Sequence, residues 1–176
     1  MKYEVIDNFL DKEYFDSLVT LFTEKKNKER TTWAFENSIV YPKEHKKWKE
    51  ENKLFYMTHT LYNNNAPMSP LYKYTFPLLE KLGAECLLRV KANLYPNTEM
   101  IHEHPMHVDY TYPHSGALLS LNTCDGYTKL KDGTKIDSVA NRILLFDAGE
   151  EHCSTTTTNT LARFNININY IQEQKL

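Results

Sequence analysis

His107-Val108-Asp109, then His152, then Arg163 are the residues of this chain whose types and order can do chemistry. Two imidazoles and one carboxylate can hold a divalent cation on one face and leave the opposite face open. That donor set with open positions is the one suited to non-haem Fe(II) and oxygen. On a strand, residues two apart point to the same face, so His107 and Asp109 can reach one ion. With 7 His and 23 acidic residues in 176, roughly one His-x-Asp/Glu pair arises by chance, so the triplet alone decides nothing. The weight falls on the elements that must bring the residues together.

The last strand is the most telling of these. In Leu161–Tyr170 the even positions Phe164, Ile166, Ile168 and Tyr170 are apolar, and the odd positions Arg163, Asn165, Asn167 and Asn169 are polar. One reading is a strand with a wet face and a core face. However, asparagine is a poor strand former, and an exposed strand face would sooner carry Thr, Lys or Glu. The other reading turns the polar face into a barrel and packs the apolar face under helices. An arginine inside would then need a partner, because a buried unpaired charge is costly. A dicarboxylate ligand meets that need through a bidentate fork. His152 follows the turn Asp147–Glu151 and precedes the strand-forming run Thr155–Thr158, so one strand and a turn carry the chain from His152 to Arg163.

The texture of the chain changes near Cys86. Before it, Val5-Ile6 predicts a short strand, and Asp11 an N-cap for a helix with Phe15, Leu18, Val19 and Phe22 on its buried face. Ser69-Pro70 opens a second helix buried through Leu71, Leu78, Leu79 and Leu82, bent at Pro77 and ended by Gly83. After it, short apolar runs alternate with turn residues. They predict strands near 86–95, 107–110, 116–122, 127–130, 134–137, 142–146, 152–157 and 161–171, with Asp132-Gly133 as a hairpin turn. The fold class expected is mainly β with supporting helices: a double-stranded β-helix, or jelly-roll, cupin-like barrel. The length predicts a single domain over 1–176, with helical support in 1–85 and the barrel core in 86–171. The segment from Thr31 to Pro67, with Trp33, Tyr41, Trp48 and Tyr56, reads either as a substrate lid or as a packed insertion. Lys43–Lys53 reads as a solvated charged helix.

Composition narrows the class. A net charge of -2 argues against a dedicated nucleic-acid binder, and no apolar run reaches membrane-spanning length. Cys86, Cys124 and Cys153 are odd in number and scattered, which suits a reducing cytoplasm rather than a disulfide framework or zinc finger. Cys86 reads as core and Cys153 as a packing residue. His102 and His104 read as loop residues near the site entrance.

With these residues in view the chain resembles the Fe(II)- and 2-oxoglutarate-dependent dioxygenases, in particular their prolyl 4-hydroxylase-like branch and its small marine bacteriophage versions. Val5–Leu10 before a helix resembles the family's opening, and Arg89–Pro96 the strand before the metal motif. Leu119–Asn122 resembles its Tyr-Leu-Asn strand, Gly126–Leu130 its Gly-Gly-x-Leu strand, and Arg142–Phe146 the approach to the second histidine. The resemblance implies His107, Asp109 and His152 as iron ligands and Arg163 as the partner of the far carboxylate of 2-oxoglutarate. It places Tyr95 in the lining of the site, with Asn165 and Asn167 orienting ligands. Ser120 stands where some relatives carry a tyrosine that contacts the same carboxylate. Only Gly126 remains of the usual glycine pair, and Asn169 replaces a tryptophan of some prolyl hydroxylases.

The resemblance further implies Fe(II), 2-oxoglutarate and O2 as cofactor and co-substrates. It implies hydroxylation of an aliphatic C–H, at a peptidyl-prolyl or other protein residue, with release of succinate and CO2. A small-molecule or nucleotide oxygenase, a cupin-like metal-binding protein without turnover, and an inactive interaction module are the competing classes. A cytoplasmic location follows, that of the host if the chain is phage-encoded, with no membrane or nucleic-acid partner. Oligomeric state is left open.

Overall fold

In the computed structural model of the chain, the described residues are 2–23, 31–37 and 54–172. Their order is β1 (Tyr3–Ile6), α1 (Lys12–Thr23), β2 (Ala34–Glu36), β3 (Tyr56–Asn63), β4 (Ala66–Pro67), a 3-10 turn (Pro70–Thr75) and α2 (Phe76–Leu82). Then come β5 (Cys86–Pro96), β6 (Ser115–Ser120), β7 (Tyr127–Leu130), β8 (Lys135–Asp137), β9 (Ile143–Asp147), β10 (His152–Ser154) and β11 (Ala162–Ile171). The strands form two antiparallel sheets. The larger runs β1-β9-β6-β11-β5-β3-β2, with β4 on β3, and the smaller runs β10-β7-β8. Bridges from Asn97 to Thr157, Glu103 to Thr155 and His107 to His152 lay the 97–107 segment along the smaller sheet. This is the jelly-roll barrel backed by helices that the strand spacing predicts.

Both helices cover one face of the larger sheet. α1 starts at Asp11, whose Oδ1 accepts the Tyr14 amide at 3.0 Å. It buries Phe15, Leu18, Leu21 and Phe22. α2 buries Leu78, Leu79 and Leu82 and ends on Gly83 in the left-handed conformation, φ 65°. The two helices share one apolar core with Val90 and Ala92 of β5, Leu119 of β6, Ile143 of β9 and Ile166 and Ile168 of β11. Asn141, itself at φ 61°, ties this layer to the sheet: its side chain accepts the Leu10 amide at 2.9 Å and donates to the Leu10 carbonyl at 2.8 Å.

The opposite face of β5 and β11 is buried as well. Asn165 and Asn169 are 0% exposed, Arg163 1% and Asn167 8%. The alternation in β11 is therefore a contrast between two interiors, an apolar one under the helices and a polar one inside the barrel. That excludes the wet-face reading of the strand.

Four sequence expectations shift. Residues 107–110 form no strand; His107 makes a single bridge, because Pro105 and Pro113 interrupt a regular ladder. Pro77 does not bend a long helix. The chain turns as 3-10 through Thr75 and begins α2 at Phe76, so Pro77 occupies the first turn, where its missing N–H costs nothing. Cys86 opens β5 at the sheet's end and is exposed. His104 is buried at 3% exposure rather than set at an entrance, its Nδ1 2.9 Å from the Ser154 carbonyl oxygen. Tyr41, Trp48 and the Lys43–Lys53 helix lie outside the described residues.

Candidate active site

The barrel brings His107, Asp109 and His152 together, with one ligating atom from each lying within 4.8 Å of the others. Backbone pairing does this. The amides of His107 and His152 each donate to the other's carbonyl at 2.9 Å, and the Asp109 amide donates to the Ala148 carbonyl at 3.1 Å. The segment after the broken ladder thus still lies against the β9–β10 connection. The two rings stand 4.7 Å apart, and Phe146 meets His152 edge-on at 4.9 Å.

The ring nitrogens are sorted by the backbone. His107 Nδ1 is 3.1 Å from the Pro105 carbonyl oxygen and His152 Nδ1 is 3.0 Å from that of Glu150. A proton on each Nδ1 satisfies those carbonyls and leaves both Nε2 lone pairs free, the tautomer a metal ligand needs. Burial, with the neighbouring His152 ring second, pushes His107 down to about 4, and burial lowers His152 too. Both rings are therefore neutral at pH 7. Burial alone would raise the Asp109 carboxyl, but the charges of Arg89 and Lys91 and the Asn169 amide outweigh it and hold the acid well below its usual range. Neutral imidazoles beside an ionised carboxylate are the donor set a divalent ion requires.

Asp109 is nested by residues of β5 and β11. Arg89 Nη2 donates to its Oδ1 at 2.7 Å, and Asn169 Nδ2 and Asn167 Nδ2 donate to Oδ2 at 2.8 and 3.3 Å. Arg89 Nη2 also donates to Asn169 Oδ1 at 3.0 Å. The register explains the cluster, since Asn169 faces Arg89, Asn167 faces Lys91, Asn165 faces Asn93 and Arg163 faces Tyr95 across the two strands. Sequence reasoning assigned no role to Arg89, Lys91 or Asn93. The odd positions of β5 carry the signal that could have found them, because they repeat the period-2 polar pattern seen in β11.

Arg163 lies deeper in the barrel. Its Nη1 donates to the carbonyls of Tyr127 at 2.8 Å and Thr155 at 3.4 Å, and Nη2 donates to Thr128 Oγ1 at 2.8 Å. All are neutral acceptors, and Nε has no partner. Among the described residues no carboxylate pairs with this guanidinium. Gly126 makes room for it: a Cβ there would meet the Thr156 carbonyl oxygen at 2.6 Å and Arg163 Cδ at 2.8 Å. The surviving glycine of the usual pair thus has a packing reason in this chain.

One cavity joins the parts. Lys91, Tyr95, His107, Asp109, Thr128 and Asn165 are among its lining residues, with Leu118 and Phe146 as apolar walls. Tyr56 and Tyr95 stack at 5.6 Å with an 11° interplanar angle. Arg163 stands behind Thr128 and Tyr95, its guanidinium carbon 5.6 Å from the Tyr95 ring centre. Ser120 is buried opposite Asn165 in the register of β6 and β11 but does not line the cavity.

The neutral histidines carry a pH prediction. Burial pushes His104 down to about 4 as well. Unfolded, these rings titrate near 6.5, so between the two values the unfolded chain binds more protons and stability rises with pH. The contribution is complete above the unfolded value and is lost as pH falls toward the folded one. Metal-free protein should therefore melt several degrees lower at about pH 5 than at about pH 7.5, and His104→Asn should narrow the gap; equal melting temperatures would contradict the assignment.

No protein-family model matches the chain, and no curated protein sequence matches it. Solved structures do match in fold. A 2OG-Fe(II) oxygenase family oxidoreductase from Burkholderia pseudomallei aligns with a TM-score of 0.67 at 8% identity, over 97% of this chain and 86% of that one. A prolyl-4-hydroxylase from Pseudomonas putida aligns at 0.58 and 14% identity, over 97% and 92%. The viral collagen prolyl hydroxylase of Paramecium Bursaria Chlorella virus-1, in a 2OG complex, aligns at 0.53 and 15%, over 98% and 97%. The fold is thus the double-stranded β-helix seen in 2-oxoglutarate oxygenase structures, spanned almost end to end. No helix among the described residues is long and apolar enough to cross a membrane.

Proposed function

We propose that this chain is an Fe(II)- and 2-oxoglutarate-dependent oxygenase that hydroxylates an aliphatic C–H and releases succinate and CO2, with a peptidyl-prolyl or other protein residue as the leading substrate. One observation carries the reading: an open two-histidine, one-carboxylate cluster and a buried guanidinium without an acidic partner sit in the same barrel. His107 and His152 would ligate the metal through Nε2 and Asp109 through a carboxylate oxygen, which keeps lone pairs beyond its hydrogen bonds. Arg163 would take the far carboxylate of 2-oxoglutarate, with Thr128 and Tyr95 beside it.

When bound, iron and 2-oxoglutarate supply the activation of O2 that attack on an unactivated carbon needs. The chain's own residues do the rest. Arg89, Asn167 and Asn169 hold Asp109 in one orientation, and the backbone carbonyls of Pro105 and Glu150 fix the histidine tautomers. Leu118 and Phe146 give the cavity an apolar wall. Asn165 Nδ2, Asn167 Oδ1 and Arg163 Nε are buried polar atoms without partners, and they are the atoms an entering polar ligand would satisfy. Two structural neighbours support a peptide substrate: the viral collagen prolyl hydroxylase and a Trichoplax adhaerens prolyl hydroxylase in complex with a hypoxia inducible factor peptide (TM-score 0.55, 15% identity).

The direct test is succinate formation by the purified chain with Fe(II), 2-oxoglutarate and O2, alongside mass spectrometry of proline-containing peptides. The expected result is metal-dependent succinate, and a gain of one oxygen atom on a peptide. Metal and 2-oxoglutarate binding without succinate would leave a cupin-like binding protein instead.

A further inference from the structure

Lys91 is a cation inside the cavity that the roles above leave unused. It sits at the third of four polar positions counted back along the inward face of β5, Tyr95, Asn93, Lys91 and Arg89, directly across from Asn167. It lines the same cavity as His107, Asp109 and His152. Lys91 forms no ion pair or hydrogen bond with any side chain among the described residues. Its ammonium rests 5.8 Å from the centre of the Tyr56 ring, a weak contact.

The two acids near enough to act on it are otherwise engaged. Asp109 is held by Arg89, Asn169 and Asn167. Glu36, on β2, has its Oε1 on the Thr58 hydroxyl at 3.5 Å. Burial, with Arg89 second, lowers Lys91 to about 8, so it remains mostly protonated at pH 7. A largely desolvated ammonium that feels these acids only at a distance, with no direct ion pair, is an expensive thing to keep beside a metal site.

Charge bookkeeping shows what would offset it. A divalent metal and doubly charged 2-oxoglutarate cancel, and Asp109 cancels Arg89. Arg163 and Lys91 then outnumber Glu36, and the loaded site stays positive. A substrate that sets a carboxylate against Lys91 lowers that energy, whereas one without a carboxylate does not.

We propose that the primary substrate presents a carboxylate to Lys91, next to the carbon that is hydroxylated. This rests on the oxygenase reading and narrows its substrate class to carboxylate-bearing molecules. The carboxylate is either the α-carboxylate of a free amino acid or an acidic side chain adjoining the target residue in a peptide.

Two matched probe pairs separate these sources: L-proline against L-prolinamide, and a capped peptide with Glu before its proline against the same peptide with Gln. Each is titrated by calorimetry into the chain loaded with Mn(II) and 2-oxoglutarate, and each is assayed for succinate with Fe(II). In at least one pair the member that carries the carboxylate should bind about 10- to 100-fold tighter, the scale of one partly desolvated charge pair. Lys91→Met should abolish that preference, Lys91→Arg should keep most of it, and Lys91→Glu should reverse it. In the succinate assay the effect should fall on KM rather than kcat.

Equal affinity within both pairs, including no measurable binding of either member, overturns the proposal. So does a preference that survives Lys91→Met. A Lys91→Met variant that loses 2-oxoglutarate affinity about 10-fold or more, with probe preference unchanged, assigns the lysine to the co-substrate and likewise overturns it. Mn(II) and 2-oxoglutarate binding by the unaltered chain, measured in the same titrations, reports separately on the oxygenase reading.

Discussion

Asp109→Ala should lose divalent metal binding by about 100-fold or more, and should also destabilise the metal-free protein. The two effects have different origins. The first is the loss of the charged ligand from a cluster whose other members are neutral histidines. The second comes from Arg89, whose guanidinium sits 2.7 Å from Asp109 Oδ1 with its side chain only 20% exposed. Removing one partner of a largely buried pair leaves the other charge uncompensated, at a cost of about 3 kcal/mol. For a chain of this size that is a fall of about 6–12 °C in melting temperature. The origins can be separated by a double substitution. Arg89→Met with Asp109→Leu should recover much of the lost melting temperature while metal binding stays absent. If Asp109→Ala binds Mn(II) as the parent does, the carboxylate is not a ligand. If the double variant melts no higher than the single one, the ion pair is not the source of the instability.

That pairing marks the boundary between what is local to the sequence and what the fold adds. The period-2 pattern of residues 161–170 exposes a polar face, and the poor strand propensity of asparagine argues that this face is turned inward; both hold, because both are local properties of the chain. The partners of that face were not legible. Arg89 meets Asp109 only because β5 pairs with β11 in a register that sets Asn169 opposite Arg89 and Arg163 opposite Tyr95. Register depends on closing the barrel, not on any short stretch of sequence.

The same distinction explains the errors elsewhere. The His-x-Asp alternation predicts a strand at 107–110. The chain there is instead held by one reciprocal backbone pair with His152 and one bond to Ala148. Pro77 predicts a bent helix, but a 3-10 turn ahead of it moves the helix start to where proline is harmless. His104 does lie in a loop, but not at the entrance: its ring fills the space beside Tyr95 at 5.4 Å and is buried by the smaller sheet's extension. Local chemistry set the faces of the strands, and long-range pairing decided which side chains meet.

Arg163→Met should weaken 2-oxoglutarate binding by about 100-fold while leaving Mn(II) affinity within a few-fold of the parent. Three features set that size. The guanidinium is 1% exposed, so its field is little screened by water. Its present partners are a hydroxyl and two backbone carbonyls, none of which offsets its charge. Burial accordingly lowers its affinity for a proton, the direction expected of a cation that lacks an anion. A carboxylate arriving there forms charge-assisted hydrogen bonds worth about 3 kcal/mol, and their loss is a factor of about 100 in Kd. Arg163→Lys keeps the charge but not the planar fork, so it should fall between, at about 10-fold. Calorimetry with 2-oxoglutarate on Mn(II)-loaded protein measures all three. Methionine fills most of the space beside Gly126, but it leaves the Tyr127 and Thr155 carbonyls without this donor, so a lower melting temperature should accompany the affinity loss. The lysine variant separates the two causes. If its 2-oxoglutarate affinity equals that of the methionine variant, charge at this position does not hold the ligand, and the carboxylate must bind elsewhere in the cavity.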